Sequence, residues 1–278
     1  MSKIQNDKYY TPPDLAQYCV EKTKEIIGAD NITEYIEPSA GAGVFLDYLD
    51  KPYLAYDIEP EDDRIIQADW WGVNLEYKKG RCVIGNPPFG RGTSLSMAFY
   101  KKSIKLSDYI ALILPVSQFN NNVQLYDFDL IYSEDLGERY YSDIPLHCCF
   151  NIYQRPKSGL LNKKPNYKLS DIKIIEYRRD GREINIPSGY DYAMGSFGAG
   201  CVGKEIQSQG QYALECYFYI HNEKLKDRVL NILKNTDWKS ISKGISGTYR
   251  LPQWKIYKYL KEQIPELEWK LYFMQKQK

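Results

Sequence analysis

The sequence contains no run of about 20 apolar residues, the length a helix needs to cross a bilayer, and its opening stretch MSKIQNDKYYTPPD lacks the apolar core of a secretory signal. Both absences point to a protein that stays in the cytoplasm, with no membrane partner. Only two histidines occur, and the six cysteines (Cys19, Cys82, Cys148, Cys149, Cys201 and Cys216) form no CxxC pair. The common zinc frameworks are therefore missing, no metal is expected, and the cysteines read as reduced thiols. No GxxxxGK[ST] loop is found, which disfavours a nucleoside triphosphate as ligand. What is present is ordinary for a folded chain: 278 residues, 43% hydrophobic and 26% charged, enough for one large or two modest domains with a real core.

The net charge of +1 conceals an asymmetry. Residues 1–150 carry 14 Lys and Arg against 23 Asp and Glu, a net −9, whereas residues 151–278 carry 23 against 13, a net +10. A basic rear portion fits contact with a polyanion.

Along the first half, short apolar runs at 34–37, 54–57, 64–69, 81–85 and 109–114 each close on a polar or turn residue, the pattern of a parallel sheet. Helical spacing at 15–27 and 95–106 separates them, which predicts a doubly wound, mostly parallel α/β sheet. Residues 116–143 read as a polar, aromatic loop with a short helix. Further strands are expected at 144–155, 171–178 and 212–220, and helices over 222–233 and near the end of the chain. No linker stands out, so the sequence predicts a domain over 1–155, with residues 156–278 completing the sheet and adding a small basic appendage.

In an open α/β sheet, ligands bind beyond the carboxyl ends of the strands, so the residues just after each run carry the information. The first run leads into Glu37-Pro-Ser-Ala-Gly-Ala-Gly43, whose glycines let the backbone turn sharply and approach a ligand. Asp57 closes the second run, where a carboxylate can accept both hydroxyls of a ribose. Asp69 closes the third, where it can take the amino group of an adenine; together they imply an adenosine with a short tail. Asn86-Pro-Pro-Phe89 closes the fourth. Its prolines fix a carbonyl pointing out of the turn, so that an amide oxygen and a carbonyl offer two acceptors to one flat amino group. Phe89 offers a ring for stacking.

Tyr9-Tyr-Thr-Pro-Pro13, the glycine loop, Asp57, Asp69 and Asn86-Pro-Pro-Phe89 occur in the order seen in γ-class adenine amino-methyltransferases, and the sequence resembles that family over roughly residues 8–155. The resemblance implies the class I methyltransferase type of fold, S-adenosylmethionine as cofactor, and methyl transfer to the exocyclic amine of adenine. Carried over by position, Tyr10, Thr11 and Pro12 would meet the methionine end of the cofactor. Glu37, Pro38, Gly41 and Gly43 would line its middle. Asp57 with Ile58 would hold the ribose, and Asp69 with Trp70 the adenine. Asn86 would stand at the reacting end; with Pro87, Pro88 and Phe89 it would hold the target base. Residues 144–155 resemble the family's late strand hairpin, which helps hold that base. DNA is the implied substrate, with the base flipped out of the duplex, and the setting is DNA methylation in a restriction-modification system. Structured RNA is the rival substrate, since Asn-Pro-Pro-Phe followed by glycine also resembles rRNA-modifying enzymes. A protein glutamine amide is a third, although those enzymes tend to carry Tyr where Phe89 stands. The absence of any Pro-Cys pair argues against attack at a cytosine ring carbon. For the nucleic-acid backbone, the candidates are Arg91, Arg155, Lys157, Lys163 and Lys164, with Arg178, Arg179 and Arg182 further on. The short rear portion is small for a sequence-reading domain, which points to relaxed DNA specificity, a partner subunit or a structured RNA substrate.

Overall fold

The computed structural model describes residues 9–179, 187–242 and 249–270. The chain forms two compact units, residues 1–164 and 165–278. Among the described residues, no helix is long and apolar enough to cross a membrane.

The first unit is built on a seven-stranded sheet: β1 (Glu34–Glu37), β2 (Tyr53–Asp57), β3 (Ile66–Gln67), β4 (Arg81–Gly85), β5 (Tyr109–Pro115), β6 (Asp129–Tyr141) and β7 (Ile144–Gln154). Their order is β3-β2-β1-β4-β5-β7-β6, with β1 to β5 parallel and β6 and β7 antiparallel. This is a doubly wound, mostly parallel α/β fold, as the strand pattern predicts. Every residue of β4 is buried, because elements cover both faces of a parallel sheet. Helix α1 (Pro13–Ile27) starts on a proline, where the missing N–H costs nothing, and buries Leu15, Ala16, Cys19, Val20, Thr23 and Ile27. Helix α2 (Ser94–Ser103) follows the Asn-Pro-Pro-Phe turn and buries Phe99 and Tyr100.

Residues 116–143 differ from the loop expected. One short 3-10 turn at Val116–Gln118 is followed by the 13-residue strand β6. The strand escapes a period-two reading because two bulges, between Leu130 and Tyr132 and between Asp135 and Gly137, break its alternation. It also lies at the sheet edge, where Asp129, Asp135 and Glu138 are exposed; pairing with β7 creates the strand and its own propensity does not.

Among the described residues, none beyond 155 joins this sheet, contrary to expectation: in chain order its last strand is β7. Among the described residues, the second unit has its own antiparallel sheet, β8 (Ile172–Arg178), β9 (Tyr192–Gly195) and β10 (Leu214–Ile220), in the order β8-β10-β9. Helices α3 (Lys226–Asn235), α4 (Trp238–Ile241) and α5 (Gln253–Gln263) pack with that sheet around Cys216, Phe218, Leu233, Trp238, Ile256 and Leu260. This unit has a separate core and a net charge of +6.

Candidate active site

Strand β1 lies between β2 and β4, so the sheet reverses its order beside β1 and a crevice opens at the carboxyl ends of these strands. The glycine loop after β1 is clipped in place by the end of β2. Asp57 Oδ2 accepts from the Gly41 amide and Oδ1 from the Glu59 amide, each at 2.8 Å. Gly43, at φ +76°, packs on the Asp62–Arg64 pair, and a Cβ there would sit 3.3 Å from Asp62 Oδ2. Arg64 bonds Asp62 and also reaches Asp47 at 2.7 Å; its hydrogen bonds hold the Asp62 carboxyl down to about 2.

At the end of β4, Gly85 adopts φ +148°, and a Cβ would meet Glu37 Cγ at 3.3 Å. Only glycine lets β4 end this close to Glu37. Asn86 comes next. Its amide nitrogen donates to the Tyr9 carbonyl at 3.2 Å and to Thr11 Oγ1 at 3.1 Å. A carbonyl can only accept, so the amide orientation is decided: Oδ1 is the remaining acceptor, and it is buried with no partner. The N-terminal segment is held in turn by the β6–β7 turn. Ser142 Oγ accepts from the Tyr10 amide, the Ser142 amide donates to the Tyr10 carbonyl, both at 3.3 Å, and the Tyr10 hydroxyl bonds Glu61.

These elements enclose a cavity of about 400 Å³, within the range of about 300–1,000 Å³ usual for small-molecule sites. Tyr10, Thr11, Glu37, Pro38, Gly41, Asp57, Ile58, Asp69, Trp70, Asn86 and Pro88 all line it. Pro12, Gly43, Pro87 and Phe89 do not. The Pro12 carbonyl is committed to the first turn of α1, accepting from the Leu15 and Ala16 amides at 3.1 and 3.0 Å. Phe89 is 6% exposed and lies under Tyr9, ring centroids 6.0 Å apart at 24°, so it presents no open face for stacking. Asp69 caps the turn at Trp70–Gly72 by accepting from the Trp71 amide at 3.0 Å, using one of its two oxygens.

The polar chemistry of the cavity is unusual in two respects. Among the described residues, three carboxylate side chains (Glu37, Asp57 and Asp69) line it and no lysine or arginine does. Also, among the described residues, eight buried side-chain polar atoms lack a hydrogen-bond partner, and four belong to residues of this lining: Glu37 Oε2, Ser39 Oγ, Trp70 Nε1 and Asn86 Oδ1. Each such atom costs about 1–3 kcal/mol if left unpaired, so their gathering in one cavity marks a ligand site. Burial, and then the neighbouring charge of Asp57, push the Glu37 carboxyl well above the ordinary carboxylate range. Lys102, behind the site, is pulled below the ordinary amine range by desolvation; it donates to the Trp70 and Val73 carbonyls and lies over the Trp70 ring.

The sequence reading assigned no role to Ser39, Trp71, Leu95 or Phe99, all of which line the cavity. Ser39 lies inside the glycine loop, and Trp71 stands beside Trp70; both are legible in the sequence. Trp71 is 48% exposed and meets the Phe99 ring edge-on at 5.2 Å. Phe99 and Leu95 come from α2, and only packing brings them here.

The proposed backbone contacts separate. Arg91 is exposed directly after the Asn-Pro-Pro-Phe turn and makes no ion pair among the described residues. Arg155 is a correction. Its guanidinium donates to the Ile104 and Ser107 carbonyls at 2.6 and 2.8 Å and to Asp108 at 3.2 Å, between the Tyr77 and Phe128 rings. It closes the end of α2 and is not available to phosphate. Gln154 pairs with Tyr109 at the start of β5, so Arg155 and Lys157 lie near the opposite edge of the sheet, about 20 Å from the strand ends that form the cavity. Lys163 and Lys164 are exposed and follow Asn162, which bonds Asp127 and Asp129 at that same edge. In the second unit, Arg179 donates to the Gly210 carbonyl at 3.1 Å and Arg178 is exposed; Arg182 lies outside the described residues.

No family model and no curated protein matches the sequence. Among solved structures, the chain is similar to a Pyrococcus horikoshii protein with a proposed RNA methyltransferase activity: 16% identity, 56% of this chain and 91% of that one, TM-score 0.44. It is also similar to a tRNA methyltransferase of M. jannaschii, at 15% identity over 54% and 52% of the two chains with TM-score 0.39. A third is the methyltransferase subunit of a type I restriction-modification system from Streptococcus thermophilus, at 13% identity over 93% and 59% with TM-score 0.38. At such identities the likeness is one of fold, and function has to come from the residues of the site.

Proposed function

We propose that the protein is an S-adenosylmethionine-dependent methyltransferase acting on the exocyclic amine of adenine in DNA. The observation that carries this reading is the buried, unpartnered Asn86 Oδ1 at the end of β4, on the wall of the same cavity as Glu37, Asp57 and Asp69.

The lining fits such a cofactor. A carboxylate offers about four lone-pair positions, and Asp57 spends two on backbone amides, leaving two for ribose hydroxyls. The second Asp69 oxygen is left for an adenine amino group. Ile58 and Trp71, 56% and 48% exposed, offer apolar faces to a flat base. Carboxylates without a lysine or arginine suit a cationic ligand and repel a polyphosphate. When bound, S-adenosylmethionine supplies an electrophilic methyl group on a sulfonium.

The rest of the chemistry belongs to the protein. An aromatic amine is a poor nucleophile because its lone pair is delocalised into the ring. Asn86 Oδ1 and the Pro87 carbonyl, accepting its two hydrogens, favour the tetrahedral nitrogen of the transition state over the flat ground state. The Tyr9 and Thr11 contacts keep Oδ1 pointed correctly, so the acceptor is preorganised. A target base that stacks on Phe89 must displace the Tyr9 ring. No base in a duplex reaches such a turn, so it must be flipped out. The second unit, with its net charge of +6, takes the substrate-recognition role in this reading, and Arg91 the phosphate nearest the turn.

The test is direct. Purified protein and methyl-labelled cofactor are incubated with duplex DNA, single-stranded DNA and rRNA, and each is digested to nucleosides. Label in N6-methyladenine from DNA supports the reading; label from rRNA alone moves the substrate to RNA, and label only in protein overturns the nucleic-acid reading.

A further inference from the structure

Glu37 is only 2% exposed although it lines the cavity, and its Oε2 has no hydrogen-bond partner. The charged groups acting on it are Asp57 from β2 and Arg64 from the β2–β3 connection. Arg64 is already committed to Asp62 and Asp47. From β4 it meets Gly85, which carries no charge, and the neighbouring Asn86 has its amide nitrogen turned to Tyr9 and Thr11. A carboxylate at this position therefore has no counterion, and its nearest charged neighbour on β2 repels it. Burying such a charge is expensive, and the group avoids the cost by keeping its proton.

We propose that Glu37 releases its proton when the cavity takes its ligand, so that cofactor binding and deprotonation are a single event. This inference rests on the cofactor reading above. The unmet Oε2 needs an N–H donor, which the primary ammonium of an amino-acid tail supplies and a sulfonium cannot. In the exchange, the carboxyl O–H bond breaks, its proton passes to a buffer base, and an N–H···O contact between ammonium and carboxylate replaces it. Glu37 thereby selects ligands with a cationic tail: a neutral tail would leave a carboxyl that has no reason to ionise. The sign of the pH effect follows. The complex holds one proton fewer than its separated parts, so binding tightens as pH rises, by about tenfold per pH unit until the free carboxyl titrates, and is flat above that point.

Titration calorimetry with S-adenosylhomocysteine, which keeps the ammonium but has no sulfonium, reads the exchange directly. Performed at several pH values, each in two buffers of different ionisation enthalpy, it should report proton release that reaches about one per ligand bound at pH values below the titration of the free carboxyl and vanishes above it. Adenosine, which lacks the tail, should release none. Glu37→Gln should abolish release and flatten the pH profile for S-adenosylhomocysteine. Buffer-independent heats for wild type with S-adenosylhomocysteine at every pH, or release that survives in Glu37→Gln, would overturn the proposal. If Glu37→Gln does not fold, the wild-type buffer comparison and the adenosine control still decide it. Wild-type protein that binds neither ligand overturns the cofactor reading itself.

Discussion

Replacing Asn86 by alanine separates the two jobs assigned to the cavity. The substitution removes Oδ1, one of two acceptors for the target amine. It also removes the donor that ties down the Tyr9 carbonyl and Thr11 Oγ1. For the first loss, the nearest measure is the removal of one preorganised hydrogen-bonding group from a transition state, which costs about 10²–10³ in turnover, or about 2.7–4 kcal/mol. For the second, two neutral hydrogen bonds at about 0.5–1.5 kcal/mol each give about 1–3 kcal/mol of stability. In a unit of this size each kcal/mol lowers Tm by about 2–4 °C, so Tm should fall by about 2–12 °C. Asp57 and Asp69 are untouched, so the Kd for S-adenosylhomocysteine should stay within a few-fold of wild type. Methyl transfer under single-turnover conditions, calorimetric Kd and thermal unfolding, all on the same preparation, measure the three quantities. Transfer and cofactor affinity falling by the same factor would refute the separate role given to Asn86. Asn86→Asp is the companion variant: it keeps an acceptor but sets a carboxylate oxygen against the Tyr9 carbonyl, so it should lose stability at least as severely as the alanine variant.

Asp57→Ala should weaken S-adenosylhomocysteine binding before it affects turnover at saturating cofactor, and should lower Tm because two charge-assisted bonds to the glycine loop disappear; unchanged Kd in calorimetry would exclude the ribose role. Gly85→Ala forces a Cβ to 3.3 Å from Glu37 Cγ at a φ of +148°, so stability should fall by roughly 1–3 kcal/mol, seen in denaturant unfolding, with cofactor affinity reduced as well. Arg155→Ala should cost roughly 2–4 kcal/mol of stability by freeing the carbonyls at the end of α2, yet leave oligonucleotide affinity and its salt slope unchanged; a shallower salt slope would restore Arg155 as a phosphate contact.

What the sequence determined by itself is the edge of the sheet on which its informative residues fall. Strands β1, β2 and β4 run parallel, so Glu37, Asp57 and Asn86, each at or just past a strand end, arrive at the same edge whatever the rest of the chain does. The local pattern of apolar runs and turns contains that outcome, and Gly41, Asp69 and Trp70 follow for the same reason. Tertiary structure decided what depends on partners far along the chain. The Asn86 amide takes its orientation from Tyr9, 77 residues away, and that contact also places Tyr9 over Phe89. Arg155 looks like any exposed arginine after a strand until the antiparallel return of β7 carries it to the far edge and sets it against α2. Strand β6 exists because β7 lies beside it, with two bulges that erase its periodicity. Glu37 reads as one of the acids expected to line the cofactor, and only the close approach of Gly85, with Arg64 engaged elsewhere, leaves it without a counterion. Strand direction is written in neighbouring residues, whereas burial, amide orientation and protonation are set by whatever packs against a side chain, which a linear pattern does not specify.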